Sequence, residues 1–130
     1  MMGGHAKRIL LVEDDRFLRK AAEATLRRHG FAVSTAVDGE DALRQVGREI
    51  PDLILLDLIM PKLQGFEVLR LLKQDPDTQQ IPVIVLSNLG QESDVRQALE
   101  GGAVAYFIKS NLSLQELVSR VQENLKGGTD

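Results

Sequence analysis

Polar residues that suit metal and phosphate chemistry follow the short apolar segments of this sequence. They comprise three acids after the first segment, an acid at the end of the third, and a hydroxyl and an amine after the fourth and fifth: Glu13, Asp14, Asp15, Asp57, Ser87 and Lys109. Carboxylates that share one crevice repel one another, so they must hold either protons or a cation. Because Mg²⁺ prefers oxygen ligands and retains several waters, Asp14 and Asp57 are candidate Mg²⁺ ligands.

The amine and the hydroxyl extend the prediction from a cation to a phosphoryl group. In phosphoryl transfer the metal neutralises charge on the phosphoryl oxygens, while a lysine adds positive charge and a hydroxyl donates a hydrogen bond. Lys109 and Ser87 carry the side chains for these tasks. Each residue alone is more often structural, and Asp15 is explained as the cap of a helix. The combination predicts a site for a hard cation and a phosphoryl group.

Five apolar segments alternate with amphipathic ones, a pattern typical of βα units around a parallel sheet. The predicted strands are residues 7–12, 31–36, 52–57, 81–86 and 104–108. The third segment has a wholly apolar interior, which indicates a central strand covered on both faces. The prediction is an α/β fold with a doubly wound, five-stranded parallel sheet. Ligands of such sheets bind beyond the carboxyl ends of the strands, where the polar residues lie.

Helical spacing and capping residues predict a helix after each strand. In the first helix, apolar and small residues recur from Phe17 to Leu26, and Gly30 is a candidate C-cap. Asp38 is a candidate N-cap of the second helix, and the sequence SLQE at residues 113–116 has the spacing of a capping box for the fifth. The third and fourth helices are predicted around residues 66–73 and 95–99.

Length and composition indicate one globular domain, which we assign to residues 6–126 with flexible termini at 1–5 and 127–130. The chain has 130 residues, a formal net charge of -3 and no cysteine. The acidic balance argues against direct nucleic-acid binding, and the lack of cysteine excludes disulfides, thiolate metal sites and cysteine nucleophiles. No apolar stretch has the length of a signal peptide core or a membrane span, so we expect a soluble, cytoplasmic protein.

Four stretches resemble the signatures of response-regulator receivers of two-component signalling. They are VEDD at residues 12–15, LLDLIMP at 55–61, IVLSN at 84–88 and YFIKS at 106–110. The resemblance spans nearly the whole chain and implies a flavodoxin-like, CheY-like fold with strand order 2-1-3-4-5 and five helices. Because no output domain follows, a stand-alone receiver is expected. The chain departs from the family at Ser110, where proline is usual, which leaves the geometry of the Lys109–Ser110 peptide open.

The resemblance also implies a phosphorylation mechanism. Asp57 would take the phosphoryl group from a phosphohistidine on a histidine kinase or a histidine phosphotransfer protein, with Lys109 and Ser87 assisting. Ser87 and Tyr106 would act as switch residues, and Tyr106 would turn inward on phosphorylation. The domain would assist its own phosphorylation and dephosphorylation without being a turnover enzyme. A downstream protein would bind the face formed by the fourth helix, fifth strand and fifth helix.

The resemblance further assigns the metal ligands and the residues that tune hydrolysis. Mg²⁺ would be bound directly by Asp14, by Asp57 and by the backbone carbonyl of Ile59, and through water by Glu13. The side chains of Ile59 and Leu89 would flank the path of the water that attacks the phosphoryl group. Both are apolar and branched and cannot orient that water by hydrogen bonding, so the phosphorylated form is expected to be long-lived.

Three other functions compete with this interpretation. A pseudo-receiver that binds partners without accepting phosphate remains an alternative, although the acidic pair, Asp57 and Lys109 are all present. A haloacid-dehalogenase-like phosphatase needs a second aspartate two residues after the nucleophile, where this chain has Ile59. A flavodoxin-type cofactor site needs a glycine- and hydroxyl-rich phosphate loop after the first strand, where carboxylates would repel phosphate.

Overall fold

A computed structural model describes residues 6–60 and 63–126, which form a parallel sheet between two layers of helices. The strands are β1 (Arg8–Val12), β2 (Ala32–Ala36), β3 (Leu53–Leu56), β4 (Val83–Ser87) and β5 (Ala105–Ile108). Their hydrogen-bonded order is β2-β1-β3-β4-β5, and all four neighbouring pairs are parallel. The predicted fold class and strand order are therefore confirmed.

A helix follows each strand, as predicted. The helices are α1 (Arg16–Arg28), α2 (Gly39–Arg48), α3 (Gly65–Gln74), α4 (Glu92–Glu100) and α5 (Leu114–Lys126). A single 3-10 turn that the sequence did not predict, Lys109–Asn111, directly follows β5. The predicted flexible termini, residues 1–5 and 127–130, lie outside the described residues, as does Pro61. No helix in the described ranges combines the length and apolar character needed to cross a bilayer.

The central strand β3 supplies side chains to both helical layers because successive residues of a strand point to opposite faces. Ile54 and Leu56 belong to an apolar cluster with α2, α3 and α4, whereas Leu53 and Leu55 belong to a second cluster with α1 and α5. All four side chains are at most 1% exposed. The apolar interior of this segment thus reflects burial on both faces, as the sequence indicated.

Two predicted details are wrong, apart from strand ends that are shifted by one residue. Phe17 is 87% exposed, although it is part of the apolar pattern of α1. The buried face of that helix consists of Ala22, Thr25 and Leu26, and Phe17 is not in phase with it at 100° per residue. The fourth strand begins at Val83 rather than residue 81, because Pro82 has no amide hydrogen to donate to the ladder.

The predicted caps fix where the helices begin and end. Asp15 accepts a hydrogen bond from the Leu18 amide at 3.0 Å and so begins α1 directly after the acidic pair. At the end of this helix Gly30 has a φ of 93°, which favours glycine. Ser113 and Glu116 exchange backbone to side-chain hydrogen bonds of 2.9 and 3.1 Å, which confirms the capping box.

Candidate functional site

The carboxyl ends of β1, β3, β4 and β5 bring the predicted polar residues to one edge of the sheet. The Glu13 amide donates to the Ala36 oxygen at 3.0 Å, and the Asp57 amide donates to the Val12 oxygen at 3.1 Å. These bonds continue the ladder one residue past each strand. They restrain the backbones of Glu13 and Asp57 in the same way as the ladder restrains the strands. The backbone positions from which the two carboxylates extend are therefore fixed.

Lys109 joins the acids of two different strands. Its Nζ atom lies 2.8 Å from Glu13 Oε1 and 2.9 Å from Asp57 Oδ2. Burial alone would lower the pKa of the Lys109 ammonium, but the hydrogen bonds and charges of Glu13 and Asp57 outweigh it and raise the pKa. The amine therefore stays protonated and supplies a fixed positive charge beside Asp57.

Glu13 is held more tightly than the sequence suggested. Its side chain is 2% exposed, and its second oxygen, Oε2, accepts a hydrogen bond from the Asp15 amide at 3.0 Å. Burial raises the pKa of Glu13, and the charge of Asp57 adds to this, while the bonds from Lys109 and the Asp15 amide oppose it. Both carboxylate oxygens thus have partners within the protein.

The three acids form a group that suits a divalent cation. One carboxylate oxygen from each of Glu13, Asp14 and Asp57 lies within 4.8 Å of the others. Opposite ligands of an octahedral Mg²⁺ lie about 4.2 Å apart, so the group needs little contraction to share one ion. Three carboxyl groups against the one ammonium of Lys109 favour an excess of negative charge, which a divalent cation would balance. The donor set therefore fits Mg²⁺.

Ser87 and Tyr106 both contact Leu89 in the loop between β4 and α4. Ser87 is fully buried, and its hydroxyl accepts a hydrogen bond from the Leu89 amide at 3.1 Å. The Tyr106 hydroxyl donates to the Leu89 oxygen at 2.5 Å. Burial is the main reason that the pKa of Tyr106 is raised. The two predicted switch residues thus hold the two polar groups of one loop residue.

The predicted hydrolysis residues lie in different surroundings. Ile59 is 56% exposed, and its backbone amide donates to Asp57 Oδ1 at 3.2 Å. Leu89 is half-buried and packs against the apolar cluster beneath α2, α3 and α4. Ile59 therefore has its side chain in solvent next to Asp57, whereas Leu89 is partly withdrawn from solvent. The Lys109–Ser110 peptide, which the sequence left open, is trans.

Two further residues act on the site through backbone atoms, and sequence reasoning did not predict their contacts. Gly65 begins α3 with its Cα against the backbone of Asp57 and Leu58, and its amide donates to the Leu58 oxygen at 3.0 Å. Arg19 of α1 donates from Nη1 to the backbone oxygens of Glu13 and Asp14. The sequence offers a signal for the glycine, which ends the loop after Asp57. Arg19 is one of five basic residues of α1, and their pattern does not show which oxygens its side chain reaches.

Known proteins similar to this chain include response regulators. The family described as Response regulator receiver domain matches residues 9–122. Response regulator PleD of Caulobacter vibrioides is 44% identical over 102 residues, which cover 78% of this chain and 22% of PleD. The chain spans between 15% and 52% of the length of the curated relatives that it matches.

Solved structures of similar sequence have the same fold. The BeF3-activated N-terminal receiver domain of RstA from Klebsiella pneumoniae is 30% identical with a TM-score of 0.85, covering 92% of this chain and 99% of that one. The Mn(2+)-bound form of response regulator Rcp1 is 34% identical with a TM-score of 0.79, covering 94% of this chain and 93% of that one. The similarity thus extends over the whole sheet and its helices.

A side chain at Gly65 would disturb the backbone that carries Asp57. A Cβ there would lie 2.5 Å from the Leu58 Cα and closer still to the Asp57 oxygen, which forces the loop to shift. We expect Gly65→Ala to lower the free energy of unfolding by about 1 to 3 kcal/mol. Urea denaturation measures this change.

The matched control is Gly47→Ala, where a Cβ meets no described atom within 4 Å. Because Gly47 lies inside α2, alanine there should raise the free energy of unfolding by about 0.5 to 1 kcal/mol. Equal stability of the two variants would contradict the close contact at Gly65.

Proposed function

The chain belongs to the response regulator receiver domain family, and we propose that it accepts a phosphoryl group on Asp57 from a phosphohistidine of a histidine kinase or a phosphotransfer protein. The observation that carries this proposal is the ammonium of Lys109, held 2.9 Å from Asp57 Oδ2 and 2.8 Å from Glu13 Oε1. A partly buried lysine paired with two buried acids that follow different strands is costly to assemble for stability alone. We therefore infer that the Lys109 ammonium stabilises the charge that the reaction adds to Asp57.

In the proposed reaction a carboxylate oxygen of Asp57 attacks the phosphorus of the phosphohistidine. The new O–P bond forms as the P–N bond breaks, the imidazole leaves, and Asp57 becomes an acyl phosphate. Lys109 balances charge on the phosphoryl oxygens, and the Ser87 hydroxyl, which accepts from the Leu89 amide, still has its own hydrogen to donate. The domain contributes these groups to its own modification and is a switch rather than a turnover enzyme.

The proposed cofactor is Mg²⁺, held by Asp14, Asp57 and the backbone carbonyl of Ile59, with Glu13 acting through water. When bound, the ion would neutralise charge on the phosphoryl group and on the acids. The fit of the three carboxylates supports this assignment, and the Mn(2+)-bound form of the similar Rcp1 is consistent with it. The water-mediated role of Glu13 follows the family resemblance, since Asp57, a proposed direct ligand, also has protein partners at both oxygens.

We further propose that residues 6–126 form the receiver and signal through a protein partner at the face of α4, β5 and α5. Tyr106 of β5 and the loop before α4 are joined by the hydrogen bond from the Tyr106 hydroxyl to the Leu89 oxygen. Leu99 and Val104, near the end of α4 and the start of β5, are 46% and 48% exposed. Exposed apolar side chains near α4 and β5 support a protein target rather than nucleic acid.

The decisive experiment treats the protein with acetyl phosphate and Mg²⁺ and measures its intact mass. Gain of one phosphoryl group supports the receiver function. A chain that gains none, even when offered a panel of phosphorylated histidine phosphotransfer proteins, would instead be the pseudo-receiver, an interaction module that binds partners without being phosphorylated.

Replacing the acceptor should abolish phosphorylation without unfolding the domain. Asp57→Asn removes the nucleophilic carboxylate with little change in shape, so no stable phosphoryl adduct should form. Asp52→Asn is the matched control, because Asp52 flanks the opposite end of β3 and receives the Arg8 amide. Mass spectrometry should find one phosphoryl group on the control and none on Asp57→Asn. Equal phosphorylation of both variants would refute the assignment of Asp57.

Asp14→Ala should weaken Mg²⁺ binding because it removes a direct carboxylate ligand. A loss of at least about tenfold in affinity, or roughly 1.4 kcal/mol, is expected from titration calorimetry. Asp15→Ala is the control, since the Asp15 side chain caps α1 and lies outside the carboxylate group. Unchanged affinity of the Asp14 variant would exclude Asp14 from the metal site.

The apolar residues beside the proposed acyl phosphate should slow its hydrolysis. Ile59→Asn combined with Leu89→Glu provides polar groups that can orient a water, and it should speed loss of the phosphoryl group by at least about tenfold, or roughly 1.4 kcal/mol of barrier. The half-life is measured with Mg²⁺ present and no kinase.

The control for this pair is Ile50→Asn with Leu99→Glu, the same substitutions at apolar positions that are 48% and 46% exposed. This variant should keep the wild-type half-life. If the double variant at Ile59 and Leu89 also keeps it, or lives longer, these side chains do not govern the approach of water.

A further inference from the structure

The guanidinium group of Arg19 binds the backbone of the acidic loop between β1 and α1. Its Nη1 atom donates to the Glu13 oxygen at 3.0 Å and to the Asp14 oxygen at 3.3 Å. The two oxygens belong to the two peptide groups that flank the Asp14 Cα atom. One nitrogen therefore holds both peptides, and the half-buried side chain that carries it is anchored in the first helical turns.

This contact fixes the direction in which the Asp14 side chain leaves the backbone. A residue has only two soft backbone torsions, so holding both flanking peptides restrains both torsions of Asp14. Glu13 and Asp57 are buried and have side-chain partners, whereas Asp14 is exposed. Because neighbouring carboxylates repel one another, the exposed member of the group is the one that relaxes away most easily. Its position depends on its backbone.

We propose that Arg19 is a positioning residue that sets the divalent-cation affinity of the site by fixing the backbone of Asp14. The proposal rests on the proposed function in one respect, namely that Glu13, Asp14 and Asp57 form the cation site. Groups that orient metal ligands typically change affinity by about 10- to 100-fold when they are removed. The lower figure applies here, because the Asp15 amide still binds Glu13 and Asp15 still caps α1.

The sign of the effect distinguishes positioning from simple electrostatics. A positive guanidinium near a cation site repels the cation, so an Arg19 that acted only through its charge would weaken Mg²⁺ binding. Removing that charge would then tighten binding. Positioning gives the opposite result, because loss of the hydrogen bonds frees the Asp14 backbone and weakens binding.

The experiment measures Mg²⁺ affinity by calorimetry on the full chain, with Mg²⁺ alone as the ligand. Arg19→Met keeps an apolar stem and removes the donors, and its affinity should fall by about tenfold. Arg19→Lys should lie within about threefold of wild type, because one ammonium can donate to both carbonyls. Arg16→Met removes an exposed arginine from the same helix and controls for charge, so its affinity should be unchanged or slightly higher.

A second readout separates positioning from general loss of structure. In phosphorylation by acetyl phosphate, Arg19→Met should need about tenfold more Mg²⁺ for half-maximal rate, while its rate at saturating Mg²⁺ stays within about twofold of wild type. Thermal unfolding without Mg²⁺ checks the fold. If Arg19→Met does not fold, Arg19→Gln replaces it, because the glutamine amide is too short to reach both carbonyls. The same changes in Mg²⁺ affinity and in Mg²⁺ requirement are expected for Arg19→Gln.

The outcomes separate this inference from the proposed function. Unchanged or tighter Mg²⁺ binding by Arg19→Met, or a rate that saturating Mg²⁺ does not restore, would overturn the positioning role. A wild-type protein that binds no Mg²⁺ would overturn it as well. If wild type binds Mg²⁺ but gains no phosphoryl group, and Arg19→Met binds Mg²⁺ more weakly, the inference stands and the phosphorylation proposal fails.

Discussion

The structure around the site depends on one partly buried ammonium between two buried carboxylates. Lys109 Nζ lies within 3 Å of acids that follow β1 and β3, and its own backbone follows β5. Removing one member of a buried ionic group of this kind typically costs about 3 to 5 kcal/mol, because a charge is left without a partner. The three strand ends are therefore energetically linked at this point. The fold must place Lys109 within hydrogen-bonding distance of both Glu13 and Asp57.

The parallel sheet meets this demand at low cost because its carboxyl ends lie at one edge. Hydrogen bonds from the Glu13 and Asp57 amides extend the ladder past β1 and β3, so the acids need no long loops to reach one another. Around them, local contacts define the loop shapes. Asp15 starts α1 just beyond the acidic pair, and Gly65 lets α3 begin against the backbone of Asp57. The ionic group thus sits on backbone that is fixed from several sides.

The sequence predicted the fold and the gathering of the polar residues because both follow from short-range patterns. The apolar interior of β3 and the capping box at Ser113 are local signals with direct physical causes. Phe17 was misjudged because an apolar residue in a helix need not lie on its buried stripe, and hydrophobicity alone does not fix the phase. The contacts of Arg19 were missed because the basic pattern of α1 shows charge but not which backbone oxygens a side chain reaches. The roles of Asp57, Lys109 and the other site residues stay predictions.

The alternation of β3 between two apolar clusters has a consequence for the proposed partner face. Asp57 follows the strand that packs under α1 and α5 on one face and under α2, α3 and α4 on the other. Asp57 therefore lies at the carboxyl end of a strand that contacts both helical layers. The helices α4 and α5 belong to different layers, so the proposed partner face of α4, β5 and α5 takes one helix from each. Under the proposed function, a phosphoryl group on Asp57 would stand at the edge of the sheet where those two layers meet, and a single modification would be able to reach both halves of that face.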